Sequence, residues 1–336
     1  MIAAEASATL GLADLQAAAR TVHAAMPPTP QYRWPLLEAA LGARTGDGTQ
    51  VWVNHENHTP VGAFKLRGGL VFFDRLMRRG PKPAGVVSAT RGNHGQSIAS
   101  AAKAHGVPAL IVVPLGNSRE KNAAMRALGA ELVEHGDDFQ SAREHAGTLA
   151  LARGWQMVPS FHADLVAGVA SYALELFGAQ RDLQTVYVPI GLGSGACGVI
   201  AARDALGLDC EVVGVVSTGA PAYALSLAQG QPVSHAVTTV LADGMACRTP
   251  EPEALARLGP GLARVVAVSE DEVSHAMRQL FECTHQVAEG AGAAAWAALL
   301  QERSHALGRR SAIVLSGGNV DRDVFARVLG ADHAHG

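Results

Sequence analysis

The 336-residue chain has only four cysteines, Cys197, Cys210, Cys247 and Cys283, and no two of them form a CxxC pair. That spacing supports neither a zinc cluster nor a disulfide framework and fits a reducing cytoplasm. Charged residues are also sparse, at 17% with a formal net charge of −3. Arg78-Arg79 and Arg309-Arg310 are too short to form a basic patch, so nucleic acid and anionic membrane surfaces are excluded as partners. No apolar stretch reaches the ~18–20 residues of a spanning helix. The Ala-rich start carries Glu5 and Asp14 without a basic segment followed by an apolar block, so no signal peptide is expected and the protein is placed in the cytoplasm. Internal repeats and metal-ligand clusters are likewise missing.

What remains is a hydrophobic content of 48%, enough for a well-filled core, and a length suited to about two domains. Residues 11–26 read as a helix, closed by the rigid connector Met26-Pro27-Pro28-Thr29-Pro30. A strand over 50–54 leads to an apolar helix ending near Arg79, and Pro81 and Pro83 mark a boundary. From Gly85 the pattern becomes strand, glycine turn, helix, with strands expected at 86–88, 109–113 and 131–134. A second set follows at 185–190, 212–216, 265–268 and 312–315. Short apolar strands alternating with helices predict parallel sheets covered on both faces, with ligands at the carboxyl ends of the strands. The expected fold class is α/β with two doubly wound parallel-sheet domains. A small domain covers 81–159, and a discontinuous large one covers 1–80 and 160–336.

Four segments carry chemistry. Lys65 lies in Gly62-Ala63-Phe64-Lys65-Leu66-Arg67-Gly68-Gly69, beside an aromatic residue and ahead of an apolar run. Lysine forms Schiff bases, and partial burial lowers its pKa enough to supply the neutral amine, although a snorkelling lysine at a helix start has the same local look. Gly191-Leu192-Gly193-Ser194-Gly195-Ala196-Cys197-Gly198 follows a strand and opens a helix. Converging backbone N–H groups at a helix N-terminus make a phosphate cradle. A dinucleotide fold wants an acidic residue at the end of the next strand, and 212–216 ends instead in Ser217-Thr218-Gly219. The loop therefore suits a phosphate monoester better than NAD. Ser88-Ala89-Thr90-Arg91-Gly92-Asn93-His94-Gly95-Gln96 places polar groups where a binding loop belongs, and Ser316-Gly317-Gly318-Asn319 ends the last strand.

Taken together, these segments resemble the threonine/serine dehydratase and serine racemase family of pyridoxal-phosphate enzymes, of fold type II and tryptophan-synthase-β-like. The resemblance runs from about Thr29 to Asp321 and rests on four motifs in order: the F-K-x-R-G lysine, the G-N-H-G-Q loop, the glycine loop and the terminal S-G-G-N. Ala242-Asp243-Gly244 and Glu289-Gly290-Ala291-Gly292 are weaker matches. The resemblance implies pyridoxal 5'-phosphate as cofactor, carried by Lys65 with Phe64 packed beside it. It implies Asn93 at the ring hydroxyl, the backbone of Gly191, Leu192, Gly193, Ser194 and Gly195 around the phosphate, and Ser316 facing the pyridine nitrogen. Gly244 and Glu289 would line the cofactor cavity. Thr90, Arg91, Gly92 and His94 would receive the substrate carboxylate. A neutral hydroxyl at the ring nitrogen makes a weaker electron sink and suits prompt β-elimination over transamination.

The sequence departs from the resemblance at two places. Serine racemase and many relatives have a serine acid/base where this chain has Arg91, and a guanidinium does not deprotonate usefully at neutral pH. Two-base racemisation is therefore not expected. Arg91 is open to three roles: pairing with a second substrate carboxylate, holding the substrate's own carboxylate, or a structural partnership with Asp164. Those relatives also bind a divalent metal through carboxylates after the next strand, and residues 216–222 have none, so no metal is expected there. Little sequence follows the terminal motif, so the regulatory domain of biosynthetic threonine dehydratases and isoleucine feedback are not expected. The expected activity is a lyase: dehydration of a 3-hydroxy amino acid, threonine- or serine-like, or phenylserine or 3-hydroxyaspartate, to a 2-oxo acid and ammonia. The substrate is thus a small amino acid and the expected assembly a homodimer. β-Replacement of the cysteine-synthase type is the alternative, although its loop usually reads T-S-G-N-T-G; a racemase and a non-catalytic sensor complete the set.

Overall fold

The central strands of this chain are buried on both faces because successive residues point into different cores. The computed structural model describes residues 10–331; the Ala-rich start with Glu5 and the tail 332–336 lie outside them. A six-stranded sheet contains β1 (Gln31–Arg33), β2 (Gln50–His55), β7 (Thr185–Pro189), β8 (Glu211–Ser217), β9 (Arg264–Val268) and β10 (Arg310–Leu315). Its order is β1-β2-β10-β7-β8-β9. A four-stranded sheet, order β5-β4-β3-β6, contains β3 (Val86–Ala89), β4 (Ala109–Val113), β5 (Glu131–Glu134) and β6 (Gln156–Met157). In the larger sheet Val186, Val188, Ala312 and Val314 enter one core, while Tyr187, Ile313 and Leu315 enter the other. The smaller sheet divides likewise, with Val86 and Ile111 on one side and Val87 and Leu110 on the other. Helices cover both faces, as the run of apolar strands predicts.

The structure departs from the sequence reading at β1, at the two-residue β6, which the sequence does not show, and at several helices. β1 follows the proline connector and pairs antiparallel with β2, giving the parallel sheet one antiparallel edge. The first helix, Leu12–His23, stops short of Met26. The helices Pro35–Leu41 and Ala163–Ala179 were not separable from sequence, the second because it is apolar nearly all round and so shows little amphipathic period.

Helix Ala163–Ala179 matters for the site because helix Lys65–Arg79 lies directly against it. Gly168 makes that approach possible: a Cβ there would stand 2.2 Å from the Arg67 carbonyl oxygen. Arg67 itself is fully buried, two residues after Lys65. Its Nε donates to Glu56 (2.7 Å), Nη1 to Glu175 (2.5 Å) and Ser171 (2.9 Å), and Nη2 to Thr29 (2.9 Å). This network ties the start of the lysine helix to the connector after the first helix, to the turn after β2 and to helix Ala163–Ala179. It fixes the backbone from which Lys65 projects.

Candidate active site

The site lies at the carboxyl ends of the strands, between the two sheets. Lys65 is the first residue of its helix, and Phe64 caps it. The lysine amine sits 4.8 Å from the centre of the Phe64 ring and donates to Ser194 Oγ at 2.8 Å. Burial pulls its pKa down to about 8, only slightly opposed by the Cys197 thiol. A free amine is thus available near neutral pH, where an exposed lysine would be almost wholly charged.

Ser194 opens helix Ser194–Ala205, whose N-cap, Gly193, adopts φ 97° and offers no side-chain cap. The first-turn N–H groups are therefore open to an anion. Gly191, at the exit of β7, runs so close to η-turn residue Gly244 that a Cβ would meet its carbonyl oxygen at 2.3 Å. Only glycine allows that approach. At the far side Ser316, at the end of β10, is buried and donates from Oγ to the Ala291 carbonyl at 3.4 Å.

Asn93 opens the helix Asn93–Ala104 that follows β3. Its Nδ2 donates to Glu289 at 2.5 Å, and its Oδ1 accepts from Asn319 Nδ2 at 2.9 Å. Lys121 closes the network, reaching Asp243 at 2.8 Å and Glu289 at 3.1 Å. Burial raises the Glu289 carboxyl, and Asp243 adds to the rise, while Lys121 opposes it. Burial would lower the Lys121 amine, but Glu289 and Asp243 beside it hold it above its ordinary value. These contacts join Asn93 and Lys121, from the segments bearing the smaller sheet, to Asp243, Glu289 and Asn319 on the larger one.

One cavity is lined by every residue singled out from the sequence: Phe64, Lys65, the Thr90–His94 loop, Gly191 through Gly195, Gly244, Glu289 and Ser316. Lys121, which lines the same cavity, was not singled out from the sequence; Asp243, also in the lining, and Asn319, which positions Asn93, stood in quoted motifs without a role of their own. Lys121 has no local signal, since it looks like any cation in an N-terminal helical turn. Asp243 stood beside a glycine already noted. The suggested Arg91–Asp164 partnership is not formed: Asp164 pairs with Arg75 (2.7 Å) and Arg79 (2.7 Å), both from the lysine helix. Among the described residues no group of three or more His, Cys, Asp or Glu is placed to hold a metal, and no helix is long and apolar enough to cross a membrane.

Residues 23–317 match the model of the family described as pyridoxal-phosphate dependent enzyme. The chain belongs to this family. Within it, the chain belongs to the threonine/serine dehydratase and serine racemase group of fold type II. It is 33% identical over 274 residues to the biosynthetic L-threonine dehydratase of Haemophilus influenzae, covering 81% of this chain and 53% of that protein. It is 36% identical over 286 residues to the L-threonine ammonia-lyase of Geobacter sulfurreducens, covering 84% of this chain and 70% of that one. The chain thus spans about half the length of the biosynthetic relative. A solved pyridoxal 5'-phosphate-dependent aspartate racemase superposes with a TM-score of 0.86 at 29% identity, covering 93% of this chain and 97% of the racemase.

The cavity fits the family's cofactor. A phosphate needs uncapped N–H groups approached without side chains, and Gly191 to Gly195 provide them at a helix N-terminus. An aldehyde needs a lysine able to shed its proton, and Lys65, whose pKa burial lowers, meets that need. Pyridoxal phosphate is the cofactor of this enzyme family, and the residues present suit its phosphate and its aldehyde.

His94 makes a second titration statement. Burial, with the nearby Lys65 charge, lowers its pKa to about 3, although the Pro159 backbone opposes the shift. Burial and His58 lower buried His55 to about 4. Both imidazoles are neutral in the fold, so the unfolded chain binds their protons first. Their contribution to stability is complete above about pH 6.5 and is lost as pH falls through about 4 for His55 and about 3 for His94, by at most about 3 and about 5 kcal/mol respectively. The midpoint of urea unfolding is expected to drop between pH 7 and pH 5, and the drop should shrink in His55→Gln. An equal drop in that variant would remove His55 from the account.

Proposed function

We propose that the protein is a pyridoxal-phosphate-dependent ammonia-lyase that converts a 3-hydroxy amino acid into a 2-oxo acid and ammonia. The observation that carries this reading is the pairing of a low-pKa Lys65 with a guanidinium, Arg91, where racemising relatives have a hydroxyl acid/base. The threonine-ammonia-lyase relatives support the same reaction class. When bound, pyridoxal phosphate draws electron density from Cα of the attached amino acid and so acidifies its α-proton.

The residues divide the remaining work. Lys65 would anchor the cofactor, and its Nζ, with the lowered pKa, would take the α-proton. The Gly191–Gly195 backbone would hold the phosphate and Asn93 the ring hydroxyl, and Glu289 and Asn319 fix the Asn93 amide. Ser316 would meet the ring nitrogen with a neutral hydroxyl. The first turn of helix Asn93–Ala104, whose N-cap Gly92 supplies no side chain, would receive the substrate carboxylate on its Asn93 and His94 N–H groups, while Thr90 Oγ1 accepts from Gly92 N (2.9 Å) and Gly95 N (3.2 Å). In balance, the substrate loses its α-proton and its 3-hydroxyl as water. The enamine left behind takes up water and releases ammonia.

Ser160 is a further hydroxyl of the cavity, and it donates its proton to the Ala89 carbonyl at 3.2 Å. That bond and the fixed charge of Arg91 favour elimination over racemisation, because neither group is set up to exchange a proton with Cα. The test is a panel of threonine, serine, phenylserine and 3-hydroxyaspartate assayed for ammonia and 2-oxo acid. Equimolar release from at least one of them is expected. Cysteine formed from activated serine and sulfide, without release of either product, would instead support β-replacement.

A further inference from the structure

The cavity holds a cation that the proposed machinery does not use. Arg91 makes no hydrogen bond or ion pair with any described residue, and its Nε is enclosed without a partner. Its position explains what it is free for. Beyond the cavity lies an outer crevice between the segment 137–147 and the segment 232–252, and Arg91, Phe139, Leu192, Ala246 and Cys247 line both spaces. These five residues form the neck through which a substrate side chain would project.

Other cations at the crevice already have carboxylates. Arg143 pairs with Glu251 at 2.9 Å, and Arg248 with Asp138 at 3.3 Å. Arg91 is set among apolar neck residues with no carboxylate of its own. In the proposed reaction the substrate's α-carboxylate goes to the Asn93 and His94 N–H groups of the first turn of helix Asn93–Ala104, which no side chain of N-cap Gly92 covers. The nearly buried His94, whose Nε2 has no partner, lines the same end of the cavity. A guanidinium held in a partly desolvated neck discriminates strongly, since a carboxylate satisfies its fork and a methyl group leaves it unpaired.

We propose that Arg91 is a specificity-determining residue that receives a second carboxylate, so that the preferred substrate is a 3-hydroxy amino acid with an acidic side chain, of the 3-hydroxyaspartate type. This rests on the ammonia-lyase reading and names its substrate class. The holoenzyme and its Arg91→Met and Arg91→Lys variants would be assayed with 3-hydroxyaspartate, threonine and phenylserine. The wild type is expected to favour 3-hydroxyaspartate in kcat/KM by about 10-fold or more, and Arg91→Met to lose about 100-fold on that substrate, chiefly through KM. Threonine turnover in the same variant should change less than about threefold, and Arg91→Lys should recover part of the dicarboxylate rate.

A binding readout keeps the substrate proposal separate from the reaction. 2-Methylaspartate and 2-methylalanine lack an α-proton and cannot react, so their effect on holoenzyme melting reports occupancy alone. 2-Methylaspartate should stabilise the wild type more, and Arg91→Met should erase the difference. Equal losses on all substrates in Arg91→Met would show that Arg91 holds the α-carboxylate and would overturn the proposal. A wild-type preference for threonine or phenylserine would do the same while leaving the ammonia-lyase reading intact. Arg91-dependent binding of 2-methylaspartate without ammonia from any substrate would keep the subsite and remove the reaction.

Discussion

Replacing Lys65 with alanine should abolish turnover, lowering kcat by at least about 10³-fold, because one substitution removes both the cofactor's covalent anchor and the group that moves the α-proton. The effect should be chemical rather than structural. Lys65 donates a single hydrogen bond, to Ser194, and its burial costs the fold part of an amine's solvation. The variant should therefore melt no lower than the wild-type apoprotein. It should bind pyridoxal phosphate weakly through the glycine cradle and lose the visible absorbance that borohydride bleaches. Added small amines should restore some activity in proportion to their basicity. Retention of the absorbance with full 2-oxo acid production would mean that a different lysine carries the cofactor.

The largest effect on stability is expected at Arg67. Alanine there leaves Glu56 and Glu175 facing one another in the interior without their shared cation, at a cost of about 3–5 kcal/mol. Thr29 and Ser171 lose a donor at the same time. Because Arg67 follows Lys65 by two residues, cofactor affinity should fall with stability. Arg67→Met combined with Glu56→Gln is a useful control, since it removes charge from both sides and should recover part of the loss. Urea unfolding followed by circular dichroism measures both variants. A shift below about 1 kcal/mol for Arg67→Ala would show that the buried network contributes little.

The fold was legible where side-chain pattern and chain order agree. The alternation of short apolar strands with helices anticipates both sheets, and the two-sided burial of β3, β4, β7, β8 and β10 explains why their pattern is continuous rather than alternating. β1 was hidden because three residues after a proline run carry no pattern, and only its pairing with β2 defines it. The cavity was legible at Lys65, at the glycine loop and at Ser316 because each stands at a junction of strand and helix with unusual composition. Lys121 was not, because its meaning comes from Asp243 and Glu289, 122 and 168 residues further along the chain. Arg67 belonged to a noted motif, yet its partners lie at positions 29, 56, 171 and 175, which sequence spacing does not bring together. Asp164 shows the reverse case: proximity to Arg91 was open from the sequence, and helix packing gave it Arg75 and Arg79 instead.

The central claim is that Lys65 alone handles the α-proton, so that the reaction ends in elimination. The most direct measurement follows one enantiomer of a reactive 3-hydroxy amino acid with the holoenzyme, quantifying 2-oxo acid, ammonia and the opposite enantiomer by chiral chromatography. The account predicts 2-oxo acid and ammonia in equal amounts, with the opposite enantiomer formed at a rate far below elimination. Formation of the opposite enantiomer faster than 2-oxo acid would contradict it, because that outcome requires a second proton donor on the other face of the substrate.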